Sequence, residues 1–306
     1  MRCARSAVGA GSTVLAATFA LLILGGCRTL NGREPELTPH LPAGAPGQIV
    51  EIGSNRVRIV DQGSGPALVL VHGLGGTAAH FAPVIEELSL HHRVIAIDLY
   101  GMGFSERSAD FRYGWDLWAD QIADVLDALD IERAHVLGHS LGGTVAITFA
   151  DRHPERTGRV ILAGSAYSMP GYVFAMLTPG IGEWYLARKD FIGTSYDDEH
   201  RSELEAAYRV RGTRKALLRY TRRMALDVRE FSQAVDRVAV PVLQIHGSQD
   251  REVSIRAARR FRDRLHDTRL VIVNGAGHYL MRDAPHEFVE AIEAFLCDRV
   301  GFVGSQ

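Results

Sequence analysis

The feature that most constrains this chain is the string Gly138-His139-Ser140-Leu141-Gly142-Gly143, set between a strand-like run and a stretch of small residues. Residues 134–137, Ala-His-Val-Leu, read as a strand of a parallel sheet. Residues 141–150 read as a helix of small residues. A strand that passes into a helix through Ser140 needs a turn so sharp that the serine backbone is strained. Side chains at positions 138 and 142 would collide with strand and helix, so glycine stands at both. The turn lifts the serine hydroxyl above the sheet edge. Alone such a string is a weak signal; between a strand and a helix it is a strong one.

The flanking sequence carries the same architecture outward. Residues 49–52 and 57–60 are short strand-like runs around Gly53-Ser54-Asn55, which predicts an antiparallel hairpin at a sheet edge. Ala67–Val71, 94–97, 134–137 and 160–162 follow as strands. Trp118, Ile122, Val125, Leu126 and Leu129 have helical spacing between two of them. The alternation then stops for about seventy residues. It resumes with strands at 242–245 and 270–273 and helices at 255–265 and 285–296. Eight strands in βα alternation predict an α/β fold with a mostly parallel sheet and helices on both faces.

A serine hydroxyl is a poor nucleophile until a base takes its proton. His278 ends the glycine-containing segment Asn274-Gly275-Ala276-Gly277, just after the last strand, where a loop can swing it over Ser140. Asp250 ends the loop after the strand at 242–245 and is the candidate acid that orients the imidazole. The alternative position, after the strand at 160–162, reads Ala163-Gly164-Ser165-Ala166 and offers no carboxylate. Asp98 precedes the serine in the chain, and Asp283 reads as a helix cap. His139, His153 and His246 are expected in packing or capping roles. Two backbone N–H groups are needed for a developing oxyanion. Leu141 supplies one, as the residue after the serine, and Leu74 supplies the other from the loop His72-Gly73-Leu74-Gly75-Gly76.

These residues resemble the α/β-hydrolase superfamily, in the branch of lidded esterases, lactonases, carbon–carbon bond hydrolases and cofactor-free perhydrolases. The order Ser140, Asp250, His278 is the family's order, and Asp98-Leu99-Tyr100-Gly101-Met102-Gly103-Phe104-Ser105 is similar to its D-x-x-G-x-G-x-S loop, with Tyr100 where proline is common. The resemblance covers residues 48–296, apart from the interrupted stretch. It implies hydrolysis of a carboxylic ester or lactone of a small to medium apolar substrate through an acyl-enzyme on Ser140, without metal or cofactor. Hydrolysis of a vinylogous diketone at a carbon–carbon bond, or perhydrolysis, would use the same triad. A catalytically silent binding module is the reading from another class, and the complete triad with both oxyanion loops stands against it. The resemblance also implies that the stretch at about 168–234 is a helical lid inserted after the sixth strand. Tyr172, Phe174 and Trp184 in its first part are candidates for an apolar pocket. Its arginine-rich second part reads as a solvated face.

The first 47 residues carry a different message. Arg2 and Arg5 precede an apolar stretch, and Leu24-Gly25-Gly26-Cys27 follows. This resembles the lipobox of bacterial lipoproteins, which implies a signal peptide over 1–26 and lipidation of Cys27. Residues 27–47 form a Pro- and Gly-rich tether, and the catalytic domain spans 48–298. The expectation is an exported, lipid-anchored protein, on the outer membrane facing the periplasm in a Gram-negative host. A net charge of −2 gives no basic excess for nucleic acid. Three cysteines without a CxxC pair exclude thioredoxin-like chemistry and argue against zinc. Cys297 is expected as a small buried apolar residue, and His91 and His92 as exposed residues ending a helix.

Overall fold

The computed structural model describes residues 41, 45–165, 178 and 198–297. Strands β1 (Gln48–Ile52) and β2 (Asn55–Gln62) form the expected hairpin. Then come β3 (Ala67–Val71), a 3-10 turn at Ala78–Phe81, α1 (Ala82–Leu88), β4 (Arg93–Ile97) and α2 (Trp115–Ala128). The serine junction joins β5 (Ala134–His139) to α3 (Leu141–Arg152), and β6 (Thr157–Ala163) follows. The described part of the insertion holds α4 (Asp198–Arg209) and α5 (Thr213–Arg237). The fold closes with β7 (Val242–Gly247), α6 (Ile255–Arg262), β8 (Thr268–Val273), a helical turn at Leu280–Asp283 and α7 (Pro285–Cys297).

The strands form an eight-stranded sheet in the order β1-β2-β4-β3-β5-β6-β7-β8. β2 runs antiparallel to both β1 and β4, and every pairing from β4 to β8 is parallel. The chain order reverses at β3, which lies between β4 and β5. Loops leaving the carboxyl ends of β3 and β5 therefore sit side by side at a topological switch point, where open α/β sheets place ligands.

Alternation along β3 divides its side chains between two apolar cores. Val69 and Val71 join a cluster that includes Trp118, Val145 and Phe149 from α2 and α3. Leu68 and Leu70 join the other, with Val84 and Leu88 from α1 and Phe288 and Ile292 from α7. Each fully buried aliphatic side chain contributes about 1.5–3 kcal/mol. The 25-residue helix α5 belongs to the first cluster through Ala216, Leu217, Tyr220, Phe231 and Val235. The Trp115 indole N–H donates to the Tyr220 hydroxyl at 3.1 Å, so this helix is keyed to α2.

Three local expectations are corrected. His92 is buried, its Nε2 lying 3.1 Å from the Glu293 carboxylate of α7, because the chain turns inward there to enter β4. Cys297 is exposed, since it falls on the outer side of the last turn of α7. α6 ends at Arg262, where the expectation carried the helix to Leu265. Tyr172, Phe174, Trp184 and Cys27 lie outside the described residues.

The junction that opened the sequence reading is tightly enclosed. A Cβ on Gly142 would lie 2.1 Å from the Val71 carbonyl oxygen, and one on Gly138 would lie 2.1 Å from the Gly142 carbonyl oxygen. Both obstacles are backbone and cannot rotate away. Gly142→Ala is expected to lower unfolding free energy by about 3 kcal/mol, at the top of the usual overpacking range. Urea unfolding of the variant beside the parent checks this, and an unchanged midpoint would contradict the close approach.

Candidate active site

Ser140 sits between β5 and α3 with φ 52° and ψ −116°. A positive φ at a non-glycine residue costs about 1–3 kcal/mol and persists only where the surroundings over-determine it. Here the Ser140 N–H donates to the Ala163 carbonyl at 2.9 Å, and the Gly143 N–H donates to the Ser140 carbonyl at 3.0 Å. The elbow is thus pinned to β6 on one side and to its own helix on the other.

Asp250 lies in the loop after β7 with its carboxylate fully buried. One oxygen, Oδ2, is 2.8 Å from His278 Nδ1. The other, Oδ1, accepts the N–H groups of Glu252 and Val253, each at 2.8 Å. Burial pushes the carboxyl upward, but the His278 hydrogen bond and charge, with the Val253 N–H, outweigh it and hold Asp250 below its ordinary value. With Nδ1 donating to the carboxylate, His278 keeps Nε2 as its basic nitrogen. A Cβ on Gly164, at the end of β6, would stand 3.3 Å from His278 Nδ1 and 3.5 Å from Asp250 Oδ2. The alternative position for the acid, just after β6, thus holds a glycine directly beside the pair.

The loop with Leu74 touches the elbow: a Cβ on Gly73 would be 3.2 Å from Ser140 Cβ. Its turn is closed by Gly76 N–H donating to Gly73 O at 3.1 Å. His72 anchors the start, with Nδ1–H donating to Gly73 O at 2.7 Å and Nε2 accepting from Leu99 N–H at 3.1 Å. Leu141 is the first residue of α3, so its N–H has no acceptor within the helix. The structure thus brings Ser140, Leu141 and the Leu74 loop to one place, and pairs Asp250 with His278.

Three residues have roles that sequence reasoning misjudged. His139 is more than packing: its Nε2–H donates to the His278 carbonyl at 2.9 Å, tying the histidine loop to the elbow. Its ring lies 4.8 Å from that of His278 and 5.2 Å from that of Tyr279, between centroids. Asp283, read as a helix cap, accepts the Gly277 N–H with its Oδ2 at 2.9 Å and steadies the residue before His278. Asp98, an acid by type only in the sequence, is fully buried and accepts from Ala78 N–H at 2.6 Å and Phe104 N–H at 2.8 Å. A Cβ on Gly103 would fall 2.0 Å from Asp98 Oδ2, which explains the glycine inside the D-x-x-G-x-G-x-S loop. That motif was the available signal for Asp98. His139 and Asp283 had none, because backbone partners leave no residue-type pattern.

With this geometry in hand, comparison with known proteins is informative. The profile of the "Alpha/beta hydrolase family" matches residues 68–291. A 2-hydroxymuconate semialdehyde hydrolase of Pseudomonas sp. (strain CF600) is 47% identical over 114 residues, 36% of this chain and only 40% of the relative. Another of that name, from Pseudomonas putida, is 31% identical over 281 residues, covering 83% of this chain and 97% of the relative. Among solved structures, a meta-cleavage product hydrolase from Pseudomonas fluorescens IP01 superposes with a TM-score of 0.67 at 26% identity, covering 82% of this chain and 98% of that one. These names describe carbon–carbon bond hydrolases. They overturn the expectation of a carboxylic ester or lactone substrate. Triad and oxyanion loops are common to both chemistries, so motif reading could not separate them.

Buried imidazoles, at the site and elsewhere, make the fold acid-sensitive. Burial, then the neighbouring His278, pushes His139 down from its usual 6.5 to about 3. Burial likewise depresses His72 and, strongly, His80, and takes His135 down to about 4. The unfolded chain binds protons that these folded groups refuse, so stability is complete above pH 6.5 and falls as pH drops toward 3. His139→Asn keeps a donor for the His278 carbonyl and removes one such group. Its urea midpoint is expected to fall less steeply than the parent's over that window; parallel curves would refute the assignment.

Proposed function

The chain belongs to the alpha/beta hydrolase family, and on that premise we propose that it is a carbon–carbon bond hydrolase acting on a vinylogous diketone. The observation that carries this is the match to a 2-hydroxymuconate semialdehyde hydrolase at 31% identity over 97% of that relative. In the proposed reaction the Ser140 hydroxyl adds to the substrate ketone as His278 Nε2 takes its proton. The oxyanion settles on the N–H groups of Leu74 and Leu141. The bond from the former carbonyl carbon to its neighbour then breaks. The electron pair delocalises into the conjugated carbonyl system, which is why a vinylogous substrate is required. His278 returns the proton to the departing fragment. Water, deprotonated by the same histidine, attacks the acyl-enzyme and releases a carboxylic acid. Asp250 holds the imidazole oriented and stabilises its cation throughout.

Loss of the absorbance of a 2-hydroxy-6-oxo-hexa-2,4-dienoate on mixing with purified protein tests the proposal. Ser140→Ala is expected to slow turnover about 10⁴-fold or more. A folded protein that leaves the dienoate intact overturns the reading.

We further propose that Cys27 carries a lipid that anchors the enzyme to a bacterial membrane. The support is Leu24-Gly25-Gly26-Cys27 after a positive start and an apolar run, followed by a polar tether. Among the described residues no helix is long and apolar enough to cross a membrane. Expression with a clickable fatty acid is expected to label the chain, and Cys27→Ala to abolish the label. Label that survives the substitution would refute the anchor.

A further inference from the structure

A carboxylate of the insertion between β6 and β7 reaches the buried ion pair beneath the Leu74 loop. Glu203 of α4 places Oε1 3.0 Å from Arg58 Nη2, with the arginine side chain fully buried and the glutamate side chain 8% exposed. Arg58 also donates through Nη1 to Asp98 Oδ1 at 3.2 Å. The same Oδ1 accepts the Ala78 N–H at 2.6 Å. Ala78 stands two residues beyond Gly76, the end of the Leu74 loop. A second and shorter route exists: Thr77 Oγ1 lies 3.5 Å from Glu203 Oε1 and caps the following turn by accepting the Ala79 N–H at 3.1 Å.

One guanidinium thus faces two buried carboxylates. A buried cation shared between two anions is divided by their competition, and loss of one anion leaves the other holding it more tightly. Neutralising Glu203 would draw Arg58 and Asp98 together. Asp98 Oδ1 would then move off the Ala78 N–H, and the segment carrying the Leu74 N–H would lose its downstream anchor. Oxyanion donors act through preorganised position, so a small displacement is felt in the transition state more than in substrate binding.

We propose that Glu203 is a positioning residue for catalysis, coupling the inserted helix α4 to the oxyanion loop through Arg58 and Asp98. The coupling rests on the reading of Ser140 as nucleophile with Leu74 as oxyanion donor, and is independent of the substrate. A different tie between insertion and core supplies the control. Arg107 donates through Nε to Thr213 Oγ1 at 2.9 Å, through Nη1 to Ser105 O at 2.7 Å and through Nη2 to Gly103 O at 2.5 Å, so this tie ends on backbone carbonyls of the loop after β4 and takes no bond from the Asp98 carboxylate or the Leu74 loop.

The experiment measures the rate of Ser140 labelling by a fluorophosphonate, per folded molecule, in the full chain. Glu203→Gln is expected to slow labelling roughly tenfold, less than the loss from deleting a whole oxyanion donor. Glu203→Asp, which restores the charge with shorter reach, is expected to recover part of the rate. Thr213→Val is expected to lower the melting temperature yet label within about twofold of the parent, because no oxyanion donor moves. With the dienoate, Glu203→Gln should lower kcat and leave KM within about twofold. Parent-like labelling of Glu203→Gln, or equal slowing in Glu203→Gln and Thr213→Val, overturns the coupling. Absence of labelling in the folded parent instead overturns the nucleophile assignment, and the coupling with it.

Discussion

The Asp98 carboxylate is the constraint on which the active-site end of this structure depends. It is fully buried and takes three donors: Ala78 N–H, Phe104 N–H and the Arg58 guanidinium. Its backbone carbonyl accepts two more, from the Ser105 hydroxyl at 2.6 Å and the Gln121 amide at 2.9 Å. A buried carboxylate with fewer partners would be costly, because each missing hydrogen bond leaves charge unsolvated. Full satisfaction turns that liability into geometry. The loops after β3 and β4 and the start of β2 are held to one atom group, and the Leu74 loop inherits its position from them.

The elbow depends on this arrangement in turn. Gly142 approaches the Val71 carbonyl so closely because β3 and β5 are neighbours, and Gly73 approaches Ser140 for the same reason. The strained serine is therefore stabilised by sheet pairing and by the loop that Asp98 fixes, with no need of bound substrate. Preorganisation of this kind lets an oxyanion site act without reorganising at the moment of reaction.

The mostly parallel sheet was legible in the sequence, because apolar runs, turn residues and βα alternation are local signals; its strand order, and with it the switch point at β3, was not, because pairing is long-range. A candidate serine, acid and histidine could be named because their order and their glycine-rich loops are read locally, and the structure pairs Asp250 with His278. What escaped was relational. Glu203 sits in a charged helical stretch with Arg201 and Glu205, and nothing in that string marks it as the one facing inward. Arg58 reads as the polar member of an alternating edge strand, yet it is wholly buried, with its guanidinium held by Pro46 O, Asp98 and Glu203. The chemistry was legible only as a class: a triad with two N–H donors accepts an ester or a ketone, and the distinction lies in how the leaving fragment carries its electrons.

That distinction has a counterpart in the electrostatics of the site. In the proposed reaction a carbon leaving group takes its proton from the His278 imidazolium, which a strongly held carboxylate partner favours. Asp250 faces His278 Nδ1 with both oxygens satisfied, while His139, the imidazole nearest in contact, is held neutral by burial. A charged His139 at 4.8 Å would repel the imidazolium that the proposed reaction forms. Under that proposal a neutral His139 favours catalysis, and the same burial that keeps it neutral costs the fold stability in acid.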